Sequence, residues 1–272
     1  MSVTTQPVNL TTRSWGSSET KTVVCVHGIS QHGGVFEHLG RELAELGYFV
    51  VSVDLRGHGS SSYEPPWDLA THIDDLLRTI EGLGIRHAVW IGHSFGGRLV
   101  AALGAHAPEV VDRLILLEPG LCVSPGEALR RAEIDRLDWS FGSVESAANA
   151  LFASEAAVAP PRTTIMDYVQ SDLRRGPDGR WRFRVCPSAV VVAWSEMARP
   201  APTIAHVPTL IVRAEALAAM TGDLEPRYRQ ALGSLVQLAV VPNGHNVLWE
   251  APSETSSVIK GFLDEAGWDA ST

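Results

Sequence analysis

No apolar run in this chain is long enough to span a bilayer, and its first residues, Met1–Gln6, have neither a basic region nor an apolar stretch. The first absence excludes a membrane-spanning helix and the second a secretory leader, so a cytoplasmic protein is expected. Cysteine is scarce: Cys25, Cys122 and Cys186 are scattered and odd in number. They have neither metal-ligand spacing nor a disulfide pattern, which fits a reducing compartment. Cys25 lies in an apolar β-branched run and reads as a small core residue. There is no phosphate loop, dinucleotide fingerprint or metal-ligand motif, so no metal and no cofactor is expected. Positive charge is in deficit. The formal net charge of −9 argues against nucleic acid, whose phosphates would repel it. The expected partner is a small-molecule substrate; a homodimer is left open.

What is present suffices for one large core with an insertion. The chain has 272 residues, 45% hydrophobic and 19% charged, as globular proteins do. Its most informative stretch is Val89-Trp90-Ile91-Gly92-His93-Ser94-Phe95-Gly96-Gly97. An apolar run is followed by Gly-His-Ser-Phe-Gly and then by helix-forming Arg98–Leu103. This reads as strand, sharp turn and helix with a serine at the apex. Gly92 and Gly96 suit a turn that brings strand and helix together, where a side chain would clash. The turn pushes the Ser94 hydroxyl out of the sheet edge, and the N–H of Phe95 at the helix start can face an oxyanion there.

Three further segments match in order and spacing. Val23-Val24-Cys25-Val26-His27-Gly28-Ile29 reads as a strand and loop, Asp54-Leu55-Arg56-Gly57-His58-Gly59-Ser60 as a turn, and Asn243-Gly244-His245 as a late histidine loop. With the serine elbow, these resemble the motifs of the α/β-hydrolases over most of the chain. The resemblance implies an oxyanion hole from the N–H groups of Ile29 and Phe95, Ser94 as nucleophile and His245 as general base. It also implies an α/β fold with a mostly parallel, doubly wound sheet. Strands are expected near 21–26, 48–53, 87–91, 113–117, 207–213 and 236–241, after one or two short edge strands around Val8–Trp15. Helical spacing marks 36–46, 67–83, 98–106, 224–232 and 252–263. The βα rhythm breaks after Gly120. Residues 121–204 carry helical patches (126–137 and 144–152) and a hairpin over Arg174–Val185, where Asp178-Gly179 suits the turn and Trp181, Phe183 and Val185 alternate with arginines. In this family such an insertion after the sixth strand is a lid. The division is thus a core of 1–120 and 205–272 with a mainly helical lid domain, 121–204.

The acid of the triad is where the chain departs from the pattern. The usual carboxylate follows the seventh strand, but that region reads Arg213-Ala214-Glu215-Ala216-Leu217, with an apolar residue in the slot. Glu118 ends the preceding strand instead. Lactone hydrolases of the zearalenone-opening type take their glutamate from this placement. Glu118 is therefore preferred, with Asp223 and then Glu215 as alternatives. His27, His58 and His93 read as structural. Gln31 and His32 follow the oxyanion loop and are candidates to touch substrate, as are Trp181 and Trp194 of the lid. The arginines of the hairpin read as a solvated face with its aromatic side turned inward. The expected activity is that of a serine esterase or lactonase acting on a small, largely apolar substrate. The alternatives are hydrolysis of an activated C–C bond and a non-hydrolytic cyclase or binding protein on the same fold. Fold alone does not choose among them.

Overall fold

Strands that are buried on both faces need no polar alternation, and the central strands here are apolar nearly end to end. The structure is a computed structural model and describes residues 7–154, 162–203, 205–216 and 224–265. Asp223 and Leu217, named above, and Ile204, the last residue of the expected lid, lie outside the described residues. The core elements in chain order are β1 (Thr11–Trp15), β2 (Thr22–Val26), α1 (Glu37–Glu45), β3 (Phe49–Asp54), α2 (Leu69–Gly82), β4 (Ala88–His93), α3 (Phe95–His106) and β5 (Val111–Leu117). The insertion adds α4 (Pro125–Asp135), β6 (Ser140–Phe141), α5 (Val144–Ser154), α6 (Arg162–Asp172), β7 (Leu173–Arg175), β8 (Trp181–Phe183) and α7 (Pro187–Met197). The core resumes with β9 (Thr209–Ala214), α8 (Leu224–Leu232), β10 (Val236–Val241), α9 (Val247–Glu250) and α10 (Pro252–Asp264).

The main sheet has seven strands in the order β1-β3-β2-β4-β5-β9-β10. Only β1 runs antiparallel to its neighbour; β3, β2, β4, β5, β9 and β10 are parallel. Period-two alternation divides their side chains between two layers. Trp90, Leu114 and Leu116 face the layer holding α2, α3 and α8 residues, while Val89, Ile91, Ile115 and Leu117 face that holding α1 and α10 residues. Chain direction across the sheet reverses at β2, with β3 on one side and β4 on the other. Loops leaving the carboxyl ends of β2 and β4 therefore open a crevice at the switch point, where such sheets bind ligands. His27-Gly28 and Ser94 occupy it.

One edge strand forms among the described residues, so the strand ending at Leu117 is fifth in chain order, not sixth. Beyond it the βα alternation stops. β7 and β8 form the expected hairpin, turning at Gly179 with φ +77°. Ser140-Phe141 adds a third strand against β8. Phe183 and Trp181 pack against the α1/α10-side core layer, and Arg182 pairs with Asp138 and Asp178. Both ends of the insertion are tied to α3, the helix that follows Ser94, by its Arg98. Its guanidinium donates to the carbonyls of Leu121, Arg199 (3.3 Å) and Pro200 (2.9 Å). No helix among the described residues is long and apolar enough to cross a membrane.

A buried ion pair pins the turn after β3 to α2, whose N-cap Asp68 accepts from Thr71 N. Arg56 Nε and Nη2 each donate to the Asp75 carboxylate at 2.7 Å, and Val8 N–H adds a third bond at 2.8 Å. Both partners are essentially inaccessible, at 2% and 0%. Removing one partner would leave a buried charge uncompensated, which costs about 3–5 kcal/mol. Asp75→Ala is expected to lose that much stability by urea denaturation, whereas Arg56→Met with Asp75→Leu should lose less. Equal losses in the single and double variants would contradict this account of the pair.

Candidate active site

The site begins with a backbone conformation. Ser94 has φ +53° and ψ −115°, a region that side-chain-bearing residues occupy only when their surroundings force it, at about 1–3 kcal/mol. Here the forcing groups are backbone. A Cβ on Gly92 would strike the carbonyl of Gly96, and one on Gly96 would strike the carbonyl of Val26. With glycine at both places, α3 starts directly against the ends of β2 and β4. Ser94 N donates to Leu117 O at 3.0 Å, and Ser94 O accepts from Gly120 N at 2.9 Å. The serine is thereby fixed to the adjacent strand end.

Ser94 Oγ lies 2.9 Å from His245 Nε2. At that distance the imidazole can take the hydroxyl proton as the oxygen becomes a nucleophile. Glu118, 4% exposed, reaches the other side of the ring. Its Oε2 lies 3.7 Å from His245 Nδ1, and its Oε1 accepts from Ala214 N. Glu118 also has a positive φ, +40°, which turns its side chain at the strand end. Contacts of this kind are commonly long in a substrate-free site and tighten in the complex. Glu215 is exposed.

The loop after β2 runs beside the serine; a Cβ on Gly28 would lie 3.0 Å from Ser94 Cβ. Two buried imidazoles hold it. His27 Nδ1 donates to Gly28 O at 2.7 Å and its Nε2 accepts from Leu55 N at 2.9 Å. His58 Nε2 accepts from Ser30 N at 3.3 Å. The peptide groups on both sides of Ile29 are thus anchored. The Phe95 N–H opens α3 immediately after Ser94, where helix N–H groups lack intrahelical acceptors.

Sequence reasoning missed the brace of the histidine loop. Glu250 Oε2 accepts from Gly244 N at 2.7 Å and Oε1 from Asn246 N at 3.0 Å. One carboxylate thus holds the N–H groups on either side of His245. Asn243, at φ +74°, also donates from its side chain to Glu250 O at 2.6 Å. The local signal was a glutamate five residues after the histidine, which no pattern marks as special.

The candidate substrate contacts meet other fates. His32 is 1% exposed, stacked on Tyr168 at 4.2 Å and capping Gly34 N at 3.0 Å; burial removes it from contact with a ligand. Trp194 Nε1 donates to Asp135 at 2.7 Å, tying α7 to α4. Trp181 is half-buried in the small sheet. Gln31 sits among the catalytic segments, with both ends of its amide engaged by protein groups. Among the described residues, no cluster of three His, Cys, Asp or Glu side chains is placed to hold a metal.

A serine on a strand–turn–helix elbow with an imidazole on its oxygen is the apparatus of a hydrolase. The chain belongs to the α/β-hydrolase fold family, whose model it matches over residues 21–252. It is 30% identical to the lipase LipV of Mycobacterium tuberculosis over 266 residues, covering 94% of this chain and 98% of LipV. It is 30% identical to the esterase YbfF of Escherichia coli over 172 residues, 60% of this chain and 62% of YbfF. Among solved structures, E-2-(acetamidomethylene)succinate hydrolase superposes with a TM-score of 0.80 at 25% identity, over 94% of this chain and 95% of that one.

The histidines around the loop are buried, and burial is the main reason each resists protonation. His32 and His58 fall to about 4, and His72 and His93 to about 3, from the ordinary 6.5. Below about 6.5 the unfolded chain takes up protons that the folded chain refuses until near 4. Their contribution is therefore complete above 6.5 and is lost as the pH falls through 6 and 5. Asp172, which burial pushes up to about 8, acts in the opposite sense with one proton. Each ring is worth up to about 1.4 kcal/mol per pH unit. Urea midpoints should fall steadily from pH 7 to pH 5, and a flat profile would contradict this balance.

Proposed function

We propose that the chain is a serine hydrolase that cleaves a carboxylic ester or lactone of a small, largely apolar substrate through an acyl-enzyme. The observation that carries the reading is the line Ser94 Oγ, His245, Glu118, with separations of 2.9 and 3.7 Å across the imidazole. His245 takes the Ser94 proton as Oγ attacks the carbonyl. The N–H groups of Ile29 and Phe95 receive the oxyanion of the tetrahedral intermediate. His245 then protonates the leaving alcohol, and afterwards activates the water that releases the acid. Glu118 holds the tautomer with a free Nε2 and stabilises the imidazolium. The placement of this acid at the end of the strand beside the nucleophile's strand is what supports a lactonase within the broader esterase class. The names of the relatives, a lipase and an esterase, support ester chemistry more generally.

The insertion acts in this reading as the lid that selects substrate. It leaves the core two residues after Glu118, and a Cβ on Gly120 would strike Met197 of α7. The returning helix therefore lies against the nucleophile's own surroundings. Arg98 holds the two ends of the insertion together at that point.

Four substitutions test the machinery with p-nitrophenyl butyrate and a panel of lactones. Ser94→Ala is expected to fold normally, to lose turnover by a factor on the order of a million and to abolish fluorophosphonate labelling. Turnover persisting in that variant ends the serine-hydrolase reading. Glu118→Gln is expected to cost roughly four orders of magnitude, by analogy with the serine-protease triad. Asp223→Asn and Glu215→Gln should each cost about tenfold or less. A crippled Asp223→Asn beside a normal Glu118→Gln moves the acid to the later loop.

A further inference from the structure

Three chain segments must meet within a fraction of an ångström for this site to work: the oxyanion loop, the serine elbow and the histidine loop. One side chain touches all three. Gln31 Oε1 accepts from Gly28 N at 3.0 Å and lies 3.0 Å from His93 Nδ1, the residue before the nucleophile. Gln31 Nε2 donates to Asn246 Oδ1, the residue after the base, at 3.0 Å. His93 Nε2 completes the ring 2.9 Å from the backbone carbonyl of His245. The amide orientation is determined by chemistry. A backbone N–H can only donate, so the atom facing Gly28 is the carbonyl oxygen and the amino group faces Asn246.

We infer that Gln31 is a positioning residue that locks the oxyanion loop, the nucleophile elbow and the base loop into one catalytic geometry, rather than a residue that binds substrate. The inference rests on the serine-hydrolase reading above. Its physical basis is that Gly28 N is held directly by Gln31, while His27 holds Gly28 O. The peptide joining Gly28 to Ile29 is planar, so fixing the groups on Gly28 fixes where the Ile29 N–H points. Asn246 is held on one side by Gln31 and on the other by Glu250, so His245 is carried on a strut anchored at both ends. Displacement of a catalytic group by about 1 Å costs on the order of a hundredfold in rate. That loss falls on the chemical step and not on substrate affinity.

His93 adds a constraint of its own. Its two ring nitrogens face two acceptors, Gln31 Oε1 and His245 O, and a neutral imidazole has one N–H to give. Burial and the neighbouring His245 charge keep it neutral. A carboxylate in place of the Gln31 amide still accepts from Gly28 N–H and favours a proton on His93. It cannot donate to Asn246, and its charge favours protonation of the nearby base.

The test uses Gln31→Met, which keeps length and removes every hydrogen bond, and Gln31→Glu, which keeps shape and both acceptor contacts. Both are assayed on p-nitrophenyl butyrate beside wild type and Ser94→Ala, with urea midpoints as the check on folding. Gln31→Met is expected to lower kcat by roughly 10- to 100-fold with KM changed less than about twofold. Gln31→Glu is expected to shift the acid limb of the kcat/KM profile upward by about half a unit or more. The variant Gln31→Met with Asn246→Ala should lose less than the product of the two single losses, because the two residues act as one strut. A raised KM with unchanged kcat in Gln31→Met assigns the residue to substrate and overturns the inference. So do unchanged kcat in both Gln31 variants, and an unmoved pH limb in Gln31→Glu should Gln31→Met fail to fold. If Ser94→Ala remains active, the serine-hydrolase reading fails, and this inference falls with it.

Discussion

The close approach of three backbones at Gly92, Gly96 and Val26 is the constraint on which the rest depends. Strand β4 cannot continue, because α3 begins against it, and α3 cannot shift, because its first turn abuts the end of β2. Ser94 is left with a left-handed φ as the only way to join them. The strain does not stand alone. Among the described residues, the non-glycine positions with positive φ are Ser30, Ser94, Glu118 and Asn243. They lie on the loop after β2, at the elbow serine, at the end of β5 and on the histidine loop. Conformations costing about 1–3 kcal/mol each persist only where surrounding contacts over-determine them. Here those contacts are His58 on Ser30, Leu117 and Gly120 on Ser94, Val212 on the Glu118 N–H, and Glu250 on Asn243.

This division explains what could be read from sequence and what could not. Glycines that permit close approach are chemically unique, so Gly92, Gly96 and Gly28 announce the elbow and the oxyanion loop. Strands buried on both faces show as β-branched runs, and the hairpin shows through Asp178-Gly179 and the alternation that follows. The strand end that carries Glu118 was legible because those runs define it. Glu250, Gln31 and Arg98 were not legible in their present roles. Their partners are backbone groups or side chains distant in sequence, up to 215 residues away for Gln31 and Asn246, and such pairings leave no periodic trace. Helices α6 and α7 were missed for a related reason. Helix α7 is apolar nearly all round, so no polar face sets off its buried Ala189, Val190, Ala193 and Met197, whereas α6 carries only the short stripe Ile165, Tyr168 and Val169 among mostly polar residues. The two-residue strand β6 is too short to show alternation at all.

The polar interior around these loops is arranged by the same logic. His27, Asp54 and the Arg56–Asp75 pair all hold backbone or side chains whose position the motifs require. Asp54 accepts from Gly33 N and Ser60 N at 2.8 and 2.9 Å and pairs with Arg13. Buried polar groups without partners would be destabilising, and His27, His58 and Asp54 are committed to backbone groups. The histidines are the clearest case. His27, held as a neutral imidazole by burial, links Gly28 O to Leu55 N with one donor and one acceptor. His245 differs because its loop leaves its side chain 37% exposed, so that it can face both the serine and solvent.

The separation between catalysis and selection then follows from where each part is anchored. Nucleophile, base, oxyanion loop and Glu118 all leave carboxyl ends of core strands, and their braces come from the core. The insertion meets these loops at several points: Gly120 against Met197, Val123 N on Met197 O at 2.8 Å, Arg98 across both of its ends, Tyr168 accepting from His32 N at 3.1 Å, and Gly59 N and Gly57 O bonded to Arg184 O and Cys186 N at 2.7 Å. Because Arg98 belongs to the helix that follows Ser94, the two ends of the insertion are referenced to that serine. Side chains of the insertion such as Tyr168, which stacks on His32 and packs against Trp249, belong to the support of the core loops as well. In the proposed reading, a change of substrate class is written in the insertion, and loss of chemistry in the loops that Gln31 and Glu250 hold.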